Sequence, residues 1–469
     1  MPLPVVSIKQ MREWEQRTWA TGITESSVIE RAGKAVAGYA LRLTKTGDAV
    51  LVIAGRGHNG DDARVAAQNL PEREVTIIEA QEPADAIAKL KEWTAGHRPT
   101  RSLIIDGLFG IGLNRPLEGG WLELVQKLNE TNIPILAVDV PSGLDAENGV
   151  PLGDAVCADV TVTMGAPKMG LLKSEAAEYV GRLEVAPDIG LIPCPFDSEL
   201  SWVCPEDFDG YPPRRPDDGH KGRFGHLCII AGSQGYHGAA VLAARGAQRA
   251  QPGLITLIVP SDVYIPVASQ LRSTMVHPWQ SGLWEAENFT AILCGPGLAN
   301  YDLPQELKRD IQRAWQESPV PVVADASALD WLPKGPTCPD ALRIITPHPG
   351  EAARMLGKKT PEILADRQAA LRQLSEQWGG CYVVLKGRQT LMGNHIGRIY
   401  VNCSGNPHLA QGGAGDLLAG WLAGFAAQPM LQTDILKVIR YAVWRHGAAA
   451  DELCRTNPHW TLDELEAAL

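Results

Sequence analysis

The 469-residue sequence has no C-x-x-C pair, no run of five basic residues, and no apolar stretch long enough to cross a bilayer. Each absence removes a class of protein. The nine cysteines, odd in number and dispersed (157, 194, 204, 228, 294, 338, 381, 403 and 454), read as reduced thiols of a cytoplasmic protein, not as a disulfide framework or a zinc site. Lys and Arg number 43 against 54 Asp and Glu, a net charge of −11 that repels nucleic acid and anionic lipid. The longest apolar run, residues 417–427, is shorter than the ~20 residues a membrane span needs. The opening MPLPVVSIKQ lacks the charged and apolar regions of a secretory signal, so none is expected. No Walker sequence G-x-x-x-x-G-K-[ST] occurs, which sets the P-loop class aside.

What is present is an ordinary globular composition, 45% apolar and 21% charged, enriched in Gly (47) and Pro (34). Together they are about one residue in six against a usual share of roughly 12%, which suits many tight turns at strand ends. Short apolar, β-branched runs at 49–54, 75–78, 102–105 and 135–138 alternate with stretches of helical spacing, such as 63–70 and 121–128. This predicts a parallel sheet covered on both faces. The pattern pauses over 204–222, CPEDFDGYPPRRPDDGHKG, where four prolines and several charges show no periodicity. It restarts with runs at 227–231, 254–259, 291–294, 320–324, 344–346 and 382–385. Two α/β domains are therefore expected, about 1–205 and 215–469, with 204–222 as linker.

Ligands of such sheets sit beyond the carboxyl ends of the strands. After 49–54 comes Gly55-Arg56-Gly57-His58-Asn59-Gly60-Asp61-Asp62, which fits G-x-G-x-x-G between a strand and a helix. Backbone N–H groups there would face an anion, and Glu79, 19 residues past Gly60, stands where an acid could meet a ribose. Asp106 and Asp139 each end a strand and lead into Gly-containing turns, 107–116 and 140–145. A lone Asp there often only caps a turn. Two beside a third Gly/Asn/Asp loop favour a site, and Asn59, Asp106 and Ser142 could offer hard oxygen ligands to a cation.

These segments, with TVTMGAPKMGLL at 161–172, resemble the NAD(P)H-hydrate epimerase family, whose signatures run G-x-G-N-N-G-G-D-G, D-A-L-F-G-x-G-x-x-R and D-x-P-S-G-L-D. The resemblance implies a Rossmann-like fold and interconversion of the R and S epimers of hydrated NADH or NADPH. It implies potassium at Asn59, Asp106 and Ser142. It implies substrate contacts at His58, Asn59, Gly60, Asp61 and Asp62, at Gly110, Ile111, Gly112, Leu113, Asn114, Arg115 and Pro116, and at Asp139. Asp106 is the expected proton-handling residue. His58, Asp61 and Ala63 depart from the pattern, and Asp61 adds a charged side chain where backbone should approach a phosphate.

In the second half, Gly412-Gly413-Ala414-Gly415-Asp416 leads into an apolar helix. N–H groups of Gly413, Ala414 and Gly415 form a candidate anion hole for a transferring phosphoryl group, and Asp416 could take the proton of the accepting hydroxyl. An Asp at a helix start for dipole reasons alone is the bland alternative. The loop resembles the G-A-G-D anion hole of ribokinase-like enzymes. Thr346-Pro347-His348-Pro349-Gly350-Glu351 and Lys386-Gly387-Arg388-Gln389-Thr390, in that order before it, resemble NAD(P)H-hydrate dehydratase. That family phosphorylates the ring hydroxyl of the S epimer, and loss of phosphate restores the double bond. The resemblance implies Asp416 as base, Ala240, Gly297, His348 and Asp416 on hydrated NAD(P)H, and Lys386, Gly387, Arg388, Gln389, Thr390 and Gly415 on the nucleotide. ADP is the expected donor, with Mg²⁺ bridging its phosphates. Ser327, Gln251, His408, Gln411, Ala414 and Ala299 depart from the family pattern.

The expected protein is thus an α/β enzyme with a Rossmann-like three-layer domain followed by a ribokinase-like three-layer domain. It repairs hydrated NAD(P)H in the cytoplasm as a homo-oligomer, with small-molecule partners and neither nucleic acid nor membrane. Three alternatives remain open at this point: a degenerate epimerase domain serving as scaffold, a ribokinase-like small-molecule kinase, and an NAD dehydrogenase.

Overall fold

The computed structural model describes the whole chain apart from Met1, Arg98, Ala286, Glu287 and Tyr301. It divides into two compact units, Leu3–Glu199 and Leu200–Leu469. No helix of the described residues is long and apolar enough to cross a membrane.

The N-terminal unit carries β1 (Leu3–Pro4), β2 (Ala49–Ala54), β3 (Glu74–Glu79), β4 (Ser102–Gly107), β5 (Ile135–Val138), β6 (Val160–Met164) and β7 (Arg182–Ala186). Six of these form a parallel sheet in the order β3-β2-β4-β5-β6-β7. Helices cover both faces, so β2 and β4 are buried at every residue. Val50, Val52, Leu103 and Ile105 face Val36 and Ala40 of the helix Glu25–Leu43. Leu51, Ile53 and Ile104 belong to the opposite layer with Leu90 and Leu124. From β2 the chain passes to β3 on one side and then back to β4 on the other. That reversal opens a crevice between the loops 55–60 and 108–116.

The C-terminal unit carries β8 (Leu200–Trp202), β9 (His226–Ile230), β10 (Leu254–Val259), β11 (Met275–Pro278), β12 (Ala291–Cys294), β13 (Val322–Ala324), β14 (Arg343–Ile345), β15 (Tyr382–Leu385), β16 (Leu391–Gly393) and β17 (Ile399–Val401). Their order is β11-β10-β9-β12-β13-β14-β15-β16-β17-β8. Strands β11 to β15 run parallel, and β16 is antiparallel to both neighbours. The order reverses between β9 and β12, again opening a crevice. Helices His237–Ala250 and Ala414–Ala426 cross in close contact. A carbon added to Gly420 would overlap the Ala243 carbonyl, and one added to Gly246 would overlap that of Leu417. Glycine at these points lets the apolar helix settle against its neighbour, which fixes the position of its N-terminus.

The stretch 204–222 is not a linker. The junction lies at 199/200, and β8 pairs with β17 inside the second unit. Phe208 is buried and stacks on Trp444 with ring centroids 4.9 Å apart, and Arg215 sits 4.3 Å over the Phe224 ring. The prolines and charges hid an aperiodic segment that is pinned by single aromatic contacts, which periodicity cannot detect.

Candidate active sites

In the N-terminal unit the crevice is a cavity of about 1060 Å³. His58, Asn59, Asp62, the 110–116 loop and Asp139 line it, as do Met11, Arg12, Glu15 and Trp19 from the first helix, Ile8–Trp19. Gly60 and Asp61 do not line it. Gly60 is needed because a side chain there would overlap the Gly55 backbone. Asp61 turns to Arg64, 2.9 Å away. Arg64 also holds both oxygens of Glu79 and the Gly55 carbonyl. The extra charge of Asp61 and the acid at Glu79 are thus both spent on one arginine. Glu79 is thereby committed to Arg64.

Asp106 lies beneath the cavity, not in its wall. It has no exposed surface and accepts from Leu108 N–H (3.2 Å), Ser142 N–H (2.8 Å) and Ser142 Oγ–H (2.6 Å). Burial raises its pKa, and those bonds oppose the rise. A carboxyl enclosed in this way cannot reach a proton on a ligand, so the acid–base expectation for Asp106 is corrected. The neighbouring Asn59 donates to Phe109 O at 2.9 Å, while its Oδ1 is buried without a partner. Asn59 Oδ1, Asp106 and Ser142 therefore make an all-oxygen set with a single formal charge, suited to a hard cation.

Six carboxylates line the cavity, Glu15, Glu25, Asp62, Glu82, Glu118 and Asp139, of which Asp62 and Asp139 are buried. Asp139 adopts a positive φ of 62° directly after β5, a strained geometry for a non-glycine residue. It is held by Thr163 Oγ–H (3.1 Å), Met164 N–H (3.0 Å) and the ammonium of Lys168 (2.5 Å). Lys168 is fully buried and also donates to Thr163 Oγ1 and Met164 O. Asp62 has no such cation, and its Oδ1 is buried without a partner. Burial, with Asp139 and Asp61 nearby, pushes its pKa up to about 8. The reading of the sequence quoted Lys168 within its fourth segment but gave it no role, and it missed Glu15. Nothing in local spacing joins a residue of the first helix to the far strand ends.

In the C-terminal unit Asp325, Thr346 and Lys386 directly follow β13, β14 and β15. Lys386 Nζ lies 2.8 Å from Asp325 Oδ1 and 4.0 Å from Glu351 Oε2, and Thr346 Oγ–H donates to the same Asp325 oxygen at 2.7 Å. A carbon added to Gly415 would lie 3.4 Å from that ammonium, so Lys386 stands directly under the Gly-rich turn. Burial works against its charge, but Asp325, Glu351 and Asp416 outweigh it and raise its pKa. Asp416, at the first turn of the helix Ala414–Ala426, is pushed up to about 7 by burial and by Asp325, with Lys386 opposing. Gly413 takes a φ of 100° to start that helix. The Ala414 N–H already donates to Gln411 O at 3.3 Å, which narrows the candidate anion-hole donors to Gly413 and Gly415. His348 is half-exposed; its Nδ1 accepts from Gly350 N–H at 3.0 Å, and its Nε2 lies 3.5 Å from Glu351 Oε1. Ala240 has no exposed surface and stands behind Gly232, and Gly297 is buried beside Ala239. Asp325 and Glu351 were within quoted motifs but carried no role in the reading of the sequence.

Two doubly wound units, each with its polar cluster at a reversal of strand order or along the strand ends, define a two-domain α/β enzyme, Rossmann-like then ribokinase-like. Residues 227–468 match the family described as NAD(P)H-hydrate dehydratase, and residues 25–170 match the YjeF-related protein N-terminus. The bifunctional NAD(P)H-hydrate repair enzyme Nnr of Gloeobacter violaceus is 33% identical over 96% of this chain and 93% of its own. Its counterpart in Vibrio cholerae is 35% identical over 96% and 94%. A ribokinase-like superfamily protein of Enterococcus faecalis, solved as a crystal structure, is 25% identical with a TM-score of 0.50, over 58% of this chain and 95% of its own. The chain belongs to the family of bifunctional NAD(P)H-hydrate repair enzymes.

Proposed function

We propose that the C-terminal unit dehydrates the S epimer of hydrated NAD(P)H at the expense of ADP. The observation that carries this is Lys386 placed under the Gly413–Gly415 turn with Asp416 beside it. Hydroxide is a poor leaving group and phosphate a good one. Asp416 takes the proton of the ring hydroxyl while its oxygen attacks the terminal phosphorus of ADP and AMP departs. Gly413, Gly415 and Lys386 hold the transferring group; the phosphate then leaves C6 and a proton leaves C5 to the departing phosphate or to water, so the ring double bond returns. The loop 386–390 and Gly415 hold the nucleotide; His348, Gly297 and Ala240 lie on the substrate side. Mg²⁺ would arrive with the nucleotide, since the described residues hold no group of three His, Cys, Asp or Glu that could bind a metal.

The N-terminal unit epimerises the R and S forms. Inversion at C6 needs the hydroxyl to leave and return on the other face. Asp62, uncharged at neutral pH, can protonate the departing hydroxyl, and Asp139, steadied by Lys168, can accept the proton of the returning water. The unpartnered Asn59 Oδ1 supports a K⁺ site with Asp106 and Ser142, whose charge would brace the 108–116 loop. The test supplies full-length protein with the R or S epimer, and ADP or ATP, and reads NADH absorbance with nucleotide product. NADH and AMP from both epimers, faster than spontaneous epimerisation for R, is the expected result. Repair of the S form alone would remove the epimerase reading, and a phosphorylated product that accumulates would favour a kinase.

A further inference from the structure

We infer that Arg367 is a positioning residue for the nucleotide loop 386–390, and that it turns the loop's carbonyl groups away from the phosphates. The inference rests on the reading of that loop given above. Arg367 opens the helix Arg367–Gln377, well outside the motifs that name the site. Its guanidinium donates to Arg388 O at 2.6 Å, to Leu385 O at 3.1 Å and, more weakly, to Gln389 O at 3.4 Å. One planar group therefore gathers carbonyls from both sides of Gly387. The backbone pays for this geometry in shape: Gly387 has a φ of 134° and Gln389 one of 52°. A carbon on Gly387 would lie 3.5 Å from Arg367 Nη2.

Two consequences favour an anion at this loop. Carbonyl oxygens repel phosphate, so fixing three of them on one side leaves the opposite side of the turn to N–H groups and to Lys386. Arg367 itself is also an uncompensated charge. Among the described residues no carboxylate lies within ion-pair distance of it, and its Nε is buried with no partner. Burial, with Arg388 close by, lowers its pKa to about 10, so it stays charged at neutral pH. A half-buried cation held only by carbonyls is costly. A nucleoside diphosphate on the loop would bring the missing negative charge.

The test measures full-length protein with the S epimer and varied ADP. Arg367→Ala is expected to raise the KM for ADP tenfold or more. The KM for hydrated NADH, and kcat at saturating ADP, should stay within about twofold of wild type. Arg367→Lys should fall between the two, and millimolar guanidinium should restore Arg367→Ala in part. An unchanged KM for ADP would overturn the inference, as would an equal rise for both substrates, which marks general loosening. If Arg367→Ala fails to fold, Arg367→Lys decides by the same ratio of the two KM values. Gly387→Val and Thr390→Ala separate the layers. If they leave the KM for ADP untouched, the loop reading itself fails. If they raise it and Arg367→Ala does not, only the role of Arg367 fails.

Discussion

The methyl of Ala63 fills the space that a side chain on Gly107 would need. Both residues are wholly buried, one in the helix His58–Gln68 and one at the end of β4. The family signatures place Gly at the first position and Ala at the second, so this chain carries the same methyl on the opposite partner. Gly107→Ala is expected to lose about 1–3 kcal/mol of stability through overpacking and to lower repair of the R epimer. Adding Ala63→Gly should recover part of both losses, because the two sites touch, while the added carbon still meets the Asn59 carbonyl. Thermal unfolding and the R-epimer assay check this; a double variant no better than the single one would sink it.

Asp62 and Asp106 separate chemistry from structure. At neutral pH Asp62 holds its proton, with a pKa of about 8, so Asp62→Asn replaces a neutral group by a neutral one of the same shape. Epimerisation should fall about 10²–10⁴-fold, the usual share of a general acid, while dehydration of the S epimer persists. Asp106→Ala instead strands the Ser142 N–H and the Leu108 N–H and leaves the Ser142 hydroxyl only Phe109 O as acceptor. Each buried orphan costs about 1–3 kcal/mol, so this variant should melt well below the wild type. Epimerisation by Asp62→Asn at the wild-type rate would return the acid role to another group.

Much of the fold was legible in the sequence because strands buried on both faces announce themselves as apolar runs, and the first Gly-rich loop directly follows one. The polar members of each site were legible where they stand directly after a strand, as with Asp139 and Lys386, or open a helix after a Gly-rich turn, as with Asp416. What escaped was assembled across distance. Glu15 comes from the first helix, Arg367 from a helix start with no motif, and Lys168 gains its meaning only when β5 and β6 lie side by side. The depth of Asp106 below the cavity was equally unreadable, since an Asp at a strand end looks the same whether it faces a ligand or Ser142.

Gln251 is a departure with a structural cost. It ends the helix His237–Ala250 in the left-handed region, with φ 58° and ψ 46°. Glycine occupies such a position without the clash a Cβ brings. Arg215 contacts its carbonyl, which glycine would retain. Gln251→Gly should therefore stabilise the C-terminal unit by about 0.5–1 kcal/mol and leave the KM for ADP unchanged. A lower unfolding midpoint in denaturant would show that the glutamine side chain contributes more than its backbone strain costs.

Asp416 should show its chemistry and its cost on one pH axis. As base it must be ionised, and burial with Asp325 raises its pKa from the ordinary 3.8 to about 7. The kcat/KM for the S epimer should then fall tenfold per pH unit below about 7. Lys386 is the group that opposes the rise, so Lys386→Met should move that limb upward and weaken turnover as well. Stability runs the other way. The folded protein holds this carboxyl's proton more tightly than the unfolded chain does. The fold therefore loses stability as pH climbs from about 3.8 to about 7 and carries the full deficit above that. Asp416→Asn should abolish dehydration, yet melt higher than the wild type at pH 8, with the gap closing below pH ~4. Equal melting temperatures at pH 8 would mean that the carboxylate is solvated more fully than its surroundings imply. Wild-type turnover by the same variant would remove Asp416 as the base.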